Sequence, residues 1–331
     1  MRRTGVLITL LLLVSALSPA YAAGGDVKVA VTINVVEDMV EQIGGERVDV
    51  TSIVTGLENP HTYSFTTEDR QTVADSDLFI EIGMGLEPWA EELATDKPAA
   101  RVMVLSDNVT KIGSNPHVWM DPENGKAMAW DIAKKLCEID PDGSDYYMQN
   151  LKRFVDEISY AEIRAKSLGA DVSGAGVITA TPGFSYLLKA MSIEETHTLV
   201  TTPGSAPSAG DIAECEDAVR NGEAYALIDL AQSPSPAIEQ IATDTGAVVV
   251  TGTPLLGVLG IEHYTELIVY NAEAIHGGIL DGERSRDMNL LENRVDGLSM
   301  QVKILGLFVV FLAIVSVAEL IQIRRLRRGD F

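Results

Sequence analysis

Two loops in this sequence offer the same chemical donor in nearly the same frame: Asn59-Pro60-His61-Thr62-Tyr63 and Asn115-Pro116-His117-Val118-Trp119. Proline fixes its own φ and holds the residue before it extended, so each imidazole is carried on a stiff loop. Neutral imidazole is a common ligand for transition metals. A lone histidine behind a proline is an ordinary turn residue. The chain has only five histidines, and finding two of them in matched frames argues for one shared metal site, with His61 and His117 as its ligands.

The elements that must position these loops read as α/β. Val27–Ile33 is a β-rich run, residues 36–43 a helix closed by Gly44-Gly45, and residues 47–54 a second strand. This alternation implies a parallel sheet covered by helices. The first histidine loop follows the second strand, at the carboxyl end where open α/β sheets bind ligands. Residues 78–82 give a further strand, and Gly85-Leu86-Glu87-Pro88-Trp89 begins a helix. The second loop runs into Asp121-Pro122, an N-cap followed by a first-turn proline, which makes Asp121 structural rather than a ligand.

Residues 146–168 are the longest periodic segment, with Tyr147, Leu151, Phe154, Val155, Ile158 and Ala161 on one face, Ser144 able to cap its start and Gly169 its end. Roughly 23 residues make a rod of about 34 Å, suited to joining two lobes. Beyond it the alternation resumes. Strands are expected over 176–180, 224–230 and 247–251, and helices over 184–191, from Ser208 and Asp211 to Asn221-Gly222, and over Pro236–Thr245.

Both ends point to a membrane. Arg2 and Arg3 precede an apolar run over residues 6–17, with Ala20-Tyr21-Ala22 as a cleavage site for an export signal. No cysteine follows that run to take a lipid. Residues 304–323 form a second apolar run, long enough to span a bilayer, in which Glu319 is the only charge. Arg324, Arg325, Arg327 and Arg328 follow, and the positive-inside rule leaves the body of the protein outside the cytoplasm. The expected division is a signal peptide (1–22), an N-terminal lobe (23–143), a linking helix (144–169), a C-terminal lobe (170–281), a stalk (282–302), a transmembrane helix (303–323) and a cytoplasmic tail (324–331). Met288, Leu291, Val295, Leu298 and Val302 recur along the stalk at helical steps.

The net charge of −23 argues against nucleic acid as a partner, since away from the termini the basic residues form nothing larger than doublets such as Lys134-Lys135. It suits cations, a salty exterior, or solvation alone. Cys137 and Cys215, the only cysteines, make no metal-site spacing. They fall in separate expected helices and are as compatible with buried thiols as with a disulfide.

The chain resembles the solute-binding proteins of zinc and manganese ABC importers, the TroA-like group with a rigid linking helix, over most of residues 27–280. The marks are Asn59-Pro60-His61-Thr62-Tyr63 with Asp69 after it, Gly83-Met84-Gly85-Leu86-Glu87-Pro88-Trp89, and Asn115-Pro116-His117-Val118-Trp119-Met120-Asp121-Pro122. The resemblance implies two lobes around a metal cleft, His61 and His117 as the first lobe's ligands, zinc or manganese as cargo, and an importer permease as partner to a monomer. In the second lobe the pattern breaks. Thr181 stands where the family carries a His or Glu ligand, and Thr253 where it carries Asp. A neutral hydroxyl is a poor substitute in a transition-metal site. His197, Asp229 and His263 would compensate only if the cleft brought them close.

The expected function is therefore capture of zinc, manganese or iron outside the cytoplasm for an ABC importer, by a membrane-anchored protein with an incomplete ligand set. The alternative is the same fold with its cleft turned to another solute, such as a metal chelate. Hydrolysis has little support, because Gly183-Phe184-Ser185 lacks the second glycine of a nucleophile elbow and no paired catalytic carboxylates can be recognised.

Overall fold

The computed structural model describes residues 27–201 and 205–328. The expected export signal lies outside these residues, as does the end of the tail. The first strand, β1 (Val27–Ile33), is buried at six of seven positions, as a strand covered on both faces must be. It pairs in parallel with β2 (Val48–Val54) and β3 (Leu78–Glu81), and β3 pairs with β4 (Val102–Val104). The sheet order is β2-β1-β3-β4. Helix α1 (Asn34–Gly44) packs its apolar face on this sheet, burying Val35, Val36, Met39, Val40 and Ile43.

A second parallel sheet repeats the order as β6-β5-β7-β8, from β5 (Gly176–Thr179), β6 (Glu194–Thr198), β7 (Ala226–Leu230) and β8 (Val248–Gly252). β4 and β6 were not anticipated from sequence. The first, Val-Met-Val, is apolar but only three residues long, too short to show a period, and the second reads Glu-Glu-Thr-His-Thr on a half-exposed edge and carries no apolar signal.

Several helices also differ from their sequence reading. The helix after Gly85 is only α3 (Ala90–Leu93), preceded by α2 (Thr67–Asp75). Helix α4 (Pro122–Ile139) starts as expected, Asp121 Oδ1 accepting the Glu123 amide at 3.0 Å. The linking helix α5 (Ser144–Asp171) has 28 residues, about 42 Å. Ser144 lies inside it and does not cap it, and the helix passes through Gly169. That glycine permits close packing rather than termination, because a Cβ there would overlap the Met191 carbonyl. Of the face predicted for this helix all but Val155 is buried.

The second sheet is covered by α6 (Ser185–Met191), α7 (Ala209–Asn221) and α8 (Pro236–Thr245). Ser208 and Asp211 form the expected capping box of α7, and Gly222 takes the left-handed conformation that ends it. Cys137 lies on α4 and buried Cys215 on α7; both are free thiols, with burial pushing the Cys215 thiol up to about 11. The last helix, α9 (Tyr264–Arg328), runs 65 residues without a break. Where the sequence divides lobe, stalk and span, the backbone joins them as one rod.

One large core runs from β1 through α5 and α9 to β7 and β8, and a smaller one lies under α7 and α8. Both lobes therefore rest on the same pair of helices. The aromatic rings of Phe154 and Tyr264 meet at 6.3 Å where α5 and α9 cross.

Candidate metal centre

The two histidine loops fold by one local rule. Asn59 Oδ1 accepts the His61 amide and Asn115 Oδ1 accepts the His117 amide, each at 3.0 Å. These are Asx turns closed around the intervening proline. Asn115 does more, since its Oδ1 also lies 2.8 Å from His117 Nδ1, and its Nδ2 donates to the Pro182 carbonyl at 2.7 Å. The second bond fixes the orientation of the amide, and an amide oxygen only accepts. His117 Nδ1 must then carry the proton, leaving the Nε2 lone pair for a metal.

His61 is oriented by a hydrogen bond to the backbone of Gly85. That contact comes from a turn in which Gly83, Met84 and Gly85 all have positive φ, at 84°, 56° and 78°. Met84 is the costly member, because a side chain disfavours this region. Buried Glu87 holds the turn by accepting the amides of Ile82 at 2.7 Å and Gly83 at 3.2 Å and the Thr32 hydroxyl at 2.6 Å. Burial pushes the Glu87 carboxyl up to about 7. The Gly-Met-Gly-Leu-Glu segment is thus a scaffold for one histidine.

The two imidazoles meet with ring centroids 5.6 Å apart and planes at 64°. Two imidazoles on one tetrahedral ion at about 2.1 Å have centroids roughly 5 Å apart, so the pair is close to a ligating arrangement. Burial lowers both imidazoles from their ordinary range, and for His117 burial with the neighbouring His61 lowers it to about 3. At neutral pH both are uncharged, the form that binds metal.

The second lobe supplies less. A methyl placed on Gly183 would sit 3.5 Å from Thr181 Oγ1 and 3.9 Å from His117 Nε2, so both groups border the Gly183 position. Thr253 is fully buried and its hydroxyl is engaged, taking Gln232 Nε2 at 2.5 Å and the Leu255 amide at 3.1 Å and donating to the Leu255 carbonyl at 2.6 Å. It is bound into a turn.

The three possible substitutes are occupied or placed elsewhere. Asp229 accepts the amides of Leu230 and Ser235, both at 2.9 Å. His263 pairs with Asp38 at 2.8 Å where α9 meets α1, an interaction that raises its imidazole above the usual range. His197 lies on strand β6, and its buried Nδ1 has no hydrogen-bond partner. Asp69 accepts from Thr66 and from the Tyr63 hydroxyl, closing the cap of α2. Among the described residues no three His, Cys, Asp or Glu side chains converge on one point.

Contacts between lobes frame the pair. Trp119 Nε1 donates to the Pro254 carbonyl at 2.7 Å, and the Tyr186 hydroxyl to the Asn115 carbonyl at 2.9 Å. Asn34 bridges Thr55 and Leu256, donating to both carbonyls at 2.8 Å. Trp89 Nε1, by contrast, donates within the first lobe, to the Pro60 carbonyl at 2.8 Å. Sequence reasoning missed the roles of Asn115, Glu87, Gln232 and Asn34. An Asx-turn signature was present for Asn115, and Glu87 closes a turn only four and five residues before it; Gln232 and Asn34 act across distances that no local pattern encodes.

Residues 29–278 match the family described as zinc-uptake complex component A, periplasmic. The manganese-binding lipoprotein MntA of Halalkalibacterium halodurans is 32% identical over 145 residues, 42% of this chain and 48% of that protein, so the match spans about half of the relative's length. The manganese ABC transporter substrate-binding lipoprotein PsaA of Streptococcus mitis is 27% identical over 58% of this chain and 70% of its own. A crystal structure of ZnuA superposes with a TM-score of 0.69 at 24% identity, covering 76% of this chain and 99% of that one. The Mn-bound periplasmic metal-binding protein of candidatus liberibacter asiaticus gives 0.68 at 19% identity, over 76% and 99%.

Proposed function

The chain belongs to the family of periplasmic zinc-uptake components, a family of transport proteins rather than enzymes, and on that premise we propose that it captures zinc or manganese outside the cytoplasm for an ABC importer. His61 and His117 are the ligands. The observation that carries this reading is the imidazole pair itself, 5.6 Å apart, with each ring already held through another group. Ligating histidines are characteristically held in this way, the nitrogen that faces away from the metal being engaged by a carbonyl or carboxylate. The metal is cargo, and the head of each chain holds one ion.

The anchor is the C-terminal helix. Its distal part is long and apolar enough to cross a membrane, with a mean hydropathy of 2.8, and none of that window is buried against the protein. With a basic tail after it, the head stands outside and remains beside its permease, at an effective concentration that a short tether raises to roughly millimolar.

A second reading has a specific observation behind it. Thr253 is committed to Gln232 and Leu255, so two imidazoles and at most the Thr181 hydroxyl face the ion. The open positions suit a metal that arrives with part of its shell filled by a chelator. The test is the metal content of the head, residues 27–302, prepared without added metal, followed by titration with zinc and manganese. About one ion per chain supports direct capture. Binding only when a chelator accompanies the metal selects the second reading, and no binding in either condition removes both.

A further inference from the structure

Helix α9 presents two different faces along its length. Toward the lobe it buries Leu267, Ile268, Ala272, Ile275 and Ile279. Among the described residues its hydrogen bonds to the lobe end at Arg286, which donates to the Gly222 carbonyl at 3.1 Å and lies over the Tyr225 ring at 5.6 Å. Just past this point begins the stripe Met288, Leu291, Val295, Leu298 and Val302, every member 57–70% exposed. At about 100° per residue these five positions cluster within roughly 80° and point about 180° away from Ile275. The lobe cannot cover them.

The stripe alternates steps of three and four, which is the 3.5-residue period of a left-handed coiled coil rather than the 3.6 of a helix resting on a globular surface. Its residue types are also specific. Val295 and Val302 occupy one seam position and Leu291 and Leu298 the other, and β-branched residues at a with leucine at d favour two parallel strands.

The same register continues through Leu305, Val309 and Leu312, where apolar residues alone mean little because the surroundings are apolar. The next two seam positions are Ser316 and Glu319, and Glu319 is the only charge in the apolar run. An ionisable or hydroxyl side chain inside a membrane faces a partner helix rather than lipid. One stripe is therefore apolar where the helix stands in water and polar near the end of the span, each time the reverse of its surroundings. That is the pattern of a covered face.

We propose that α9 pairs with α9 of a second copy, in parallel and in register, from Met288 into the span, so that two metal-binding heads stand on one stem. The heads fit this arrangement because each lies on the side of its helix opposite the seam. The single-chain receptor read from sequence then describes the head and not the assembled protein. The orientation of the two helices rests on the anchored reading above, while the metal site plays no part. Asp287 and Glu292 flank the seam, and parallel register sets Asp287 against Glu292 of the partner subunit, a like-charge pair that the apolar seam must outweigh.

The full chain in its membrane provides the test, with single cysteines introduced as Val295→Cys, Leu298→Cys or Met300→Cys and the unaltered chain as control for Cys137 and Cys215. Mild oxidation is expected to give a two-chain band at 295 and 298 and not at 300, which lies on the outer face. In detergent the purified chain is expected at twice its mass, falling to a single chain in Val295→Asp. Glu292→Lys, which turns the repulsion into attraction, is expected to raise the two-chain fraction. Equal cross-linking at 295 and 300, a single-chain mass for the unaltered protein, or a cross-link from 295 to a different protein would each overturn the proposal. Membrane fractionation of the same samples reads the anchor separately, so a chain that washes off the membrane yet cross-links at 295 defeats the anchor and leaves the pairing standing.

Discussion

The two lobes have the same strand order, β2-β1-β3-β4 and β6-β5-β7-β8, yet they bring unequal chemistry to the cleft. The first lobe presents two imidazoles on Asx-proline loops. At the corresponding edge the second presents two threonines, one bordering Gly183 as the His117 ring does and one locked in its own turn. A shared sheet topology thus fixes where loops emerge and leaves their chemistry free. Binding strength is expected to reside in one lobe, with the other serving mainly as a wall.

The strongest way to break this comparison is to remove the imidazoles. His61→Ala and His117→Ala should each weaken zinc binding by at least about 100-fold in calorimetry, whereas Thr253→Ser should leave it unchanged; equal losses in the two lobes would refute the asymmetry. Next, Asn115→Ala frees His117 Nδ1 and the tie to Pro182 while touching no metal. Affinity should fall about 10- to 100-fold, and Asn115→Ala should add little on top of His117→Ala.

Adding a ligand sharpens the contrast from the other side. Thr181→His puts a third imidazole on the second lobe next to Gly183, which the His117 ring also borders, and should tighten zinc binding by about tenfold. Thr253→Asp tests the opposite expectation. It puts a carboxylate at a fully buried position and discards the turn bonds, so the metal-free head should lose about 1–3 kcal/mol in denaturant unfolding. A variant as stable as the parent would mean that the turn can open to let this position face the cleft.

The smallest effect concerns pH. His61 and His117 are both lowered by burial, His117 from 6.5 to about 3. Below 6.5 the unfolded chain takes up protons that the folded His117 refuses until about 3, so stability is full above 6.5 and is lost as pH falls through that window. At pH 6 the loss from His117 is about 1 kcal/mol. His263 has the opposite sign, since its pairing with Asp38 raises it; its contribution is present below 6.5 and fades as pH rises. Thermal unfolding of the metal-free head between pH 8 and 5 should fall toward acid in the parent and less so in His117→Ala.

Much of the first lobe was legible in its sequence. Val27–Ile33 announced a strand because most of its residues are apolar and β-favouring, Lys28 and Thr32 apart, and Asp121-Pro122 announced a helix start because capping is a local act. β6 was illegible for the converse reason, since its polar residues hold an edge position that only the neighbouring strand defines. Gly169 read as a helix end because a glycine written in a sequence does not say whether it serves a turn or a close approach.

The sequence by itself determined the two histidines, the stiff loops that carry them, the paired α/β lobes and the apolar helix at the end of the chain. All of these rest on periodicity or on neighbours within a few residues, which is where side-chain and backbone preferences act. Only the tertiary structure decided that the two rings face each other, that Asn115 selects the nitrogen left free, that Thr253 is consumed by Gln232 and Leu255, and that Asp229 and His263 serve other bonds. Each of these depends on which residues the packed core brings together from distant parts of the chain, and a hydrogen bond is settled by that proximity within an ångström rather than by residue type.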